Sequence, residues 1–522
     1  MGPQHLLRDV KGLVAAVVEK LSRHKVADRL GHDKATVVRW LEGAIPAKPA
    51  DVAALIQLAL AESVDIAPFQ TFEPIYDLSE FLSYEQKARS SGPDLSWLTS
   101  SRMPPPVRRT VCGIPVTCPL GVASSPLVAT AASTTQMLSL GFGLTTFKTR
   151  RAGVKQSWAV PQMAYLVEPP ELRDYDLSNP PDVIVGFNRP TSAPIPDLVN
   201  SIGVPSEKWP VWQAILDDIL RHEYGRYVGA SVMAEGSSSS ELLDDFDLAI
   251  SKAIEVKPAF VELNISCPNL EKRGGLLSDL SILSAICDRA RARSTTAAIP
   301  LFVKIPCLRG DHLRQFVKAV LRGADAICLR NSVRVRPFMR NRDGELVSAF
   351  PGREFGGLSG PSTYQLTRQA VADLVDIKRT MKADFSIIAI GGVSCVTEVV
   401  ELLNEGADAV QACTAPIFDP LIAWKTRFHL NRADTLLVGP EVSTASEVLL
   451  FPKDQLEIEC YTNAERAVNL IRKRSRDTRI SHEQFVTYWN DWMRESPSLR
   501  AGASHRLRKS RSVVDWVRVF TQ

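Results

Sequence analysis

From Arg109 onward the chain alternates short apolar runs with amphipathic segments, and this alternation restricts the fold more than any other feature. Eight runs read as buried strands: Val116–Ala123, Leu144–Lys148, Gly229–Met233, Phe260–Ile265, Leu301–Ile305, Ala326–Leu329, Ser386–Ile390 and Ala409–Ala412. Helical patterns lie between most of them, at Leu242–Glu255, Leu280–Ala292, His312–Leu321, Thr363–Thr380 and Cys395–Asn404. Eight strands with intervening helices over about 310 residues suit a (β/α)8 TIM barrel with insertions. A doubly wound open sheet would need fewer strands and an early Gly-x-Gly-x-x-Gly, which the chain lacks. Two insertions stand out: proline-rich Pro169–Pro210, and Val333–Gly357 with its five arginines. Long loops at the carboxyl ends of barrel strands are where such folds keep chemistry.

The rest of the chain reads differently. Residues 1–65 look helical: Leu13, Val17, Val18 and Leu21 recur at helical spacing, Val26, Ala27 and Leu30 lead to Gly31, and Thr36–Leu41 and Asp51–Leu60 follow. Residues 66–107 read as a linker with one or two short helices, 108–428 as the barrel, and 429–522 as a helical extension with a basic end. The expected architecture is therefore α/β, a (β/α)8 barrel with a small all-α amino-terminal domain and a helical carboxyl-terminal extension. The chain has 522 residues, 45% of them hydrophobic, and a net charge of +4, which excludes wholesale disorder and argues against a nucleic-acid coat, though not against one basic module. Nine cysteines without a Cys-x-x-Cys pair speak against zinc or iron–sulfur clusters and for reduced thiols, so no metal is expected. No apolar run reaches the ~18 residues of a spanning helix, and Met1–Val10 carries no basic-then-apolar leader. A cytoplasmic protein without membrane contact is expected.

Residues Leu21–Leu60 resemble the helix-turn-helix of lambda-repressor-like regulators, with Val26-Ala27-Asp28-Arg29-Leu30-Gly31 as first helix and turn, and Lys34–Gly43 as recognition helix. Val37 and Leu41 would face a small core, leaving Lys34, Thr36 and Arg39 outward to meet DNA phosphates or base edges. Asp28, Asp33 and Glu42 dilute that positive face. The alternative is a helical module for interaction or dimerisation.

The strongest signal is Val261-Glu262-Leu263-Asn264-Ile265-Ser266-Cys267-Pro268-Asn269, an apolar strand ending in a polar cluster and leading to Arg273-Gly274-Gly275. Asn264 both donates and accepts, so it can orient a planar amide-bearing ring. A thiol just past the strand, Cys267, needs only modest tuning from about 8.5 to act as acid or base.

This region resembles the dihydroorotate dehydrogenase superfamily of FMN-binding (β/α)8 barrels. Gly121-Val122-Ala123-Ser124-Ser125 is similar to its first flavin-contacting strand, Thr145-Thr146-Phe147-Lys148-Thr149 and Phe302-Val303-Lys304-Ile305-Pro306 to its two lysine strands, and Arg330-Asn331-Ser332 to its substrate-contacting Asn-Ser/Thr pair. Gly356–Pro361 and Ile390-Gly391-Gly392-Val393 resemble the phosphate-binding turns. Within the superfamily, Ala123–Thr134, Ala230-Ser231-Val232-Met233 and Val410–Ala415 look most like the pyrimidine-reducing barrel of dihydropyrimidine dehydrogenases; dihydroorotate enzymes usually show Gly-Thr at Cys413-Thr414 and Asn at Ser231.

The resemblance implies FMN held by Ala123, Ser124, Lys148, Thr149, Ser231, Asn264, Lys304, Arg330, Gly360, Gly391, Gly392, Cys413 and Thr414. Gly360, Gly391 and Gly392 would let backbone N–H groups approach a phosphate, and Lys148 and Lys304 would place positive charge near the flavin ring. Cys267, with Lys148 beside the flavin, would serve catalysis on a CH–CH bond next to a carbonyl. Asn264, Ser266, Asn269, Asn331 and Ser332 would hold the substrate. Dihydroorotate enzymes carry an Asn shortly before a Gly in their substrate loop; here Val183-Ile184-Val185-Gly186-Phe187 stands at the corresponding stretch, which argues against dihydroorotate itself, and Asn188 and Arg189 would replace the lost contact. The iron–sulfur module of dihydropyrimidine dehydrogenases is missing, so electrons would come from a partner protein, a nicotinamide cofactor or a small oxidant. Two readings result: an FMN oxidoreductase on a pyrimidine-like cyclic amide, expected as a homodimer, or a DNA-binding regulator whose barrel senses ligand or redox state.

Overall fold

The computed structural model describes residues 6–46, 48–89, 95–99, 103–107, 109–173, 175–191, 193–265 and 279–437. The chain divides into two compact units, residues 1–395 with 405–428, and residues 396–404 with 429–522. Of the second unit the described part is the helix Val396–Asn404 and the end of a helix running Ile422–Leu437; the expected basic extension lies outside the described residues beyond 437.

In the first unit eight parallel strands form one sheet. They are β1 (Leu120–Val122), β2 (Thr145–Arg151), β3 (Val228–Met233), β4 (Val261–Asn264), β5 (Leu301–Ile305), β6 (Ala326–Leu329), β7 (Ser386–Ile390) and β8 (Ala409–Ala412). Their order is β1-β8-β7-β6-β5-β4-β3-β2. The two ends meet, because Gly143 N donates to Leu120 O at 2.8 Å and Val122 N to Thr145 Oγ1 at 3.3 Å. A Cβ on Gly121 would lie 1.7 Å from Leu144 O, so only glycine lets the barrel close this tightly. The strands are buried on both faces, which is why most read as predominantly apolar runs. The expected first strand, Val116–Ala123, is shorter than its apolar run. Ile114–Val116 instead pairs with Arg109–Val111 in a hairpin whose turn residues, Cys112 and Gly113, both have positive φ. Val111, Ile114 and Val116 pack with Phe260, Phe302 and Ala326, filling the barrel from the amino-terminal ends of its strands. Phe260 and Phe302 stack at 4.1 Å.

The two insertions fold, together with Met163–Leu166, into a second sheet. Five of its strands, Met163–Leu166, Asp182–Gly186, Leu198–Asn200, Val333–Arg340 and Gly356–Ser359, pair round into a closed ring, with Leu346–Ser348 added outside. Val183, Val185, Val199, Val335, Phe350 and Leu358 pack together as its core.

Before the barrel come α1 (Val10–Leu21), α2 (Arg23–Leu30), α3 (Lys34–Leu41) and α4 (Pro49–Ala61). Asp9 caps α1 through Gly12 N at 2.7 Å, and Asp33 caps α3 through Thr36 N at 2.6 Å. Pro49 starts α4 rather than breaking it. On α3 it is Val37 and Trp40 that are buried, while the expected core residue Leu41 is half-buried: residues three apart share the inward face here. The segment read as a linker is pinned to the barrel. Ile75 N donates to Ile417 O at 2.7 Å, buried Gln70 donates to buried Asp419 at 2.7 Å, and Lys425 reaches both at 2.7 Å. No described helix is long and apolar enough to cross a membrane.

Candidate active site

A cleft opens at the carboxyl ends of the barrel strands, where this fold keeps its chemistry. It is lined by Ala123, Ser124, Lys148, Thr149, Asn264, Lys304, Arg330, Asn331, Ser332, Gly360, Gly391, Gly392, Cys413 and Thr414, all singled out from sequence. Ser231 lies just beneath, its Oγ 2.8 Å from Thr149 Oγ1. The register of β2 against β3 shifts between Phe147 and Arg150, and this irregularity brings both Lys148 and Thr149 to the cleft although they are neighbours in sequence.

One end of the cleft is suited to an anion. Gly360, Gly391 and Gly392 have φ of 128°, 115° and 80°, a backbone region where glycine is favoured. A Cβ on Gly392 would strike Tyr364 Cα at 2.2 Å, and Tyr364 opens the long helix Tyr364–Met381. The turn therefore sits against a helix amino terminus. Asp197, from the first insertion, braces Ser362 in that turn through its N (3.0 Å) and Oγ (2.9 Å). Burial raises the Asp197 carboxyl above its usual range, and Ser362 opposes the shift. Arg330 is buried. It donates to Thr363 O at 2.7 Å, while its Nε finds no hydrogen-bond partner among the described residues. Burial lowers its pKa from the ordinary value. A buried guanidinium with an unspent donor beside open glycine turns is the donor set a phosphate monoester requires.

Further along, burial raises the Cys413 thiol, opposed by a Ser125 hydrogen bond and by the ammonium groups of Lys304 and Lys148. Both lysines thus act on the same stretch of cleft. Beyond them Asn331 Nδ2 donates to Asn264 Oδ1 at 3.1 Å, and Asn264 Nδ2 to Thr149 Oγ1 at 3.0 Å. These residues fit FMN: glycine turns and Arg330 for its phosphate, the lysines with Ser124 and Thr149 for its ring.

Other expected residues fall elsewhere. Ser266, Cys267 and Asn269 lie outside the described residues. Asn188 is exposed and does not line the cleft, and Val183 is buried in the ring of strands. The cleft wall from this region is instead Asn200, Ile202, Gly203 and Val204. Asn200 and Gly203 thus stand at the cleft as an Asn shortly before a Gly, at the end of the strand Leu198–Asn200, and the signal for that strand was its apolar Leu198-Val199 run. Arg189 stacks on Phe418 at 5.1 Å. On α3, Lys34 and Arg39 are exposed and Thr36 half-buried, with Arg39 donating to Thr36 Oγ1 at 2.8 Å. Glu262, a fully buried carboxyl under the cleft, was given no role by sequence reasoning. Among the described residues no His/Cys/Asp/Glu group could hold a metal ion.

Barrel, cationic cleft and paired amides together define the class of site: a (β/α)8 barrel with a polar, positively charged cleft at the carboxyl ends of its strands. Residues 183–430 match the family model for dihydroorotate dehydrogenase. The chain is 28% identical over 239 residues to the catalytic subunit of dihydroorotate dehydrogenase B (NAD(+)) of Pyrococcus abyssi, covering 44% of this chain and 70% of that one. It is 25% identical over 323 residues to dihydroorotate dehydrogenase of Dictyostelium discoideum, covering 60% and 85%. The solved DHODH of Eimeria tenella in complex with ferulenol aligns at 17% identity and TM-score 0.48, covering 76% of this chain and 95% of that one. The family and sequence matches support the dihydroorotate dehydrogenase superfamily and, with it, a flavin-dependent oxidoreductase of CH–CH bonds.

Proposed function

We propose that the protein is an FMN-dependent oxidoreductase acting on the CH–CH bond of a pyrimidine-like cyclic amide, with dihydroorotate-like acids included. The reading rests on one observation above all: Asn264 and Asn331 meet at the cleft within reach of the lysine pair, with Asn200 on the wall. Bound FMN would supply a two-electron acceptor or donor for the hydrogen on one ring carbon. The chain's own residues do the rest. Asn264, Asn331, Ser332 and Asn200 hold the amide edges, which need both donors and acceptors. Lys304 and Lys148 supply positive charge beside the ring. Cys267, three residues past Asn264, takes the proton from the carbon next to the carbonyl, or returns it in the reducing direction. Asn200 in the wall offers an amide contact that would serve a dihydroorotate-like acid.

The test is anaerobic addition of dihydroorotate or dihydrouracil to the purified yellow protein. Rapid bleaching of the flavin band, lost in Cys267→Ala, supports the proposal. A colourless protein that takes up no FMN, or a bound flavin that neither compound bleaches, overturns it.

A further inference from the structure

The cleft floor contains a hydrogen-bonded chain whose direction is fixed at both ends. Ser332 N donates to Asn331 Oδ1 at 2.9 Å, and a backbone N–H can only donate. Asn331 Nδ2 donates to Asn264 Oδ1 at 3.1 Å, and Asn264 Nδ2 to Thr149 Oγ1 at 3.0 Å. Thr149 Oγ1 lies 2.8 Å from Ser231 Oγ, and Ser231 Oγ donates to Glu262 Oε1 at 2.7 Å. The Ser231 proton is thus spent on Glu262. The Thr149 hydroxyl must then donate to Ser231, and its lone pairs are left for Asn264 and for Ser124, 2.8 Å away. Reversing any link sets donor against donor at Ser332 or removes the donor that Glu262 receives from Ser231, and Ser231 and Glu262 have no exposed surface through which water could repair it. The other close neighbour of Glu262 is the Cys328 thiol, whose pKa burial raises, with Glu262 adding to the shift and Lys304 opposing it.

We propose that Glu262 is a positioning residue that orients this chain, so that the Asn264 and Asn331 amide planes are set before a ring amide arrives. The proposal rests on the substrate reading above. It adds that ligand discrimination is enforced from below the cleft, by a residue that does not line it.

The experiment uses the full-length, FMN-loaded protein and three variants: Glu262→Leu, Ser231→Ala and the double variant. Two quantities are read: the dissociation constant for orotate and for uracil, from perturbation of the flavin band, and the urea midpoint without ring ligand. Each single variant is expected to weaken the ring ligand roughly tenfold or more, as for one lost buried hydrogen bond, and the double variant no further. Glu262→Gln, which keeps an acceptor for Ser231, is expected to restore binding to within about threefold. An unchanged ligand constant in Ser231→Ala, or fully multiplicative effects in the double variant, overturns the proposal. Should Glu262→Leu fail to fold, Ser231→Ala and Glu262→Gln decide it by the same criteria. If neither ring ligand perturbs the wild-type flavin, the substrate reading fails by itself. The chain is then judged on urea midpoints, where non-additivity of the two substitutions supports it and additivity refutes it.

Discussion

Adjacent glycines in the turn after β7 should respond very differently to the same substitution. Both Gly391 and Gly392 have positive φ, so an alanine at either costs roughly 1–2 kcal/mol of backbone strain. They differ in space. At Gly391 the atoms nearest the new Cβ would be Thr367 Oγ1 at 3.2 Å and the Arg330 guanidinium at 3.6 Å, both on side chains. At Gly392 it would lie 2.2 Å from Tyr364 Cα and 2.3 Å from Tyr364 N. Non-bonded carbons rest at ~3.5 Å or more, so about 1.3 Å of retreat is required of backbone that starts an 18-residue helix. That displacement adds about 1–3 kcal/mol and pulls on Thr363, whose carbonyl anchors Arg330. Gly392→Ala should therefore bind FMN weaker than Gly391→Ala by roughly five- to hundredfold. Quenching of flavin fluorescence on titration of the apoprotein measures it. Equal affinities for the two variants within threefold would refute the reasoning, because the turn would then not be seated against the helix start.

Other outcomes follow from the same structure. Phe302→Ala removes half of the stacked pair in the barrel core and should destabilise by about 3–5 kcal/mol in urea unfolding. The raised carboxyl of Asp197 favours the folded state while protonated, so its contribution is present below the ordinary carboxylate range and is lost as pH rises through its elevated folded value. Asp197→Asn should consequently gain stability relative to wild type as pH rises across that interval, and a denaturation series from pH 3 to 7 (~one pH unit per step) reads the sign. Asp419→Ala leaves Lys425 without its buried ion-pair partner and Gln70 without its acceptor. It should cost about 2–4 kcal/mol and speed limited proteolysis around residues 70–89.

The barrel was readable because parallel strands buried on both faces are mostly apolar, and the eight runs carry that mark apart from the polar residues that face the cleft or the barrel interior. The ring of strands from the insertions was not read. Val333-Arg334-Val335-Arg336 alternates as a half-buried strand should, yet its partners are Asp182–Gly186 and Gly356–Ser359, remote in sequence. For the same reason Asn188, beside Gly186, was expected at the cleft, where the structure places Asn200. Most cleft residues were legible because they follow strand ends as short polar motifs. Glu262 stands inside such a motif, but its task depends on Ser231, its register partner across β3 and β4, and register is not written in either strand alone. On α3 the choice of Trp40 over Leu41 as core residue was set by where neighbouring helices lie, which a single short helix does not reveal.

The closed ring of insertion strands divides labour within the molecule. Its interior is filled by its valines, leucines and Phe350 together with Cys307 and Leu366 of the barrel, and one of its strands ends in Asn200 at the cleft. The wall facing an incoming molecule therefore belongs in part to an annexe, while Lys148, Lys304, Gly391 and Gly392 belong to the main frame. Exchanging residues 198–204 is consequently a route to changed ligand preference that leaves the frame's electron chemistry in place.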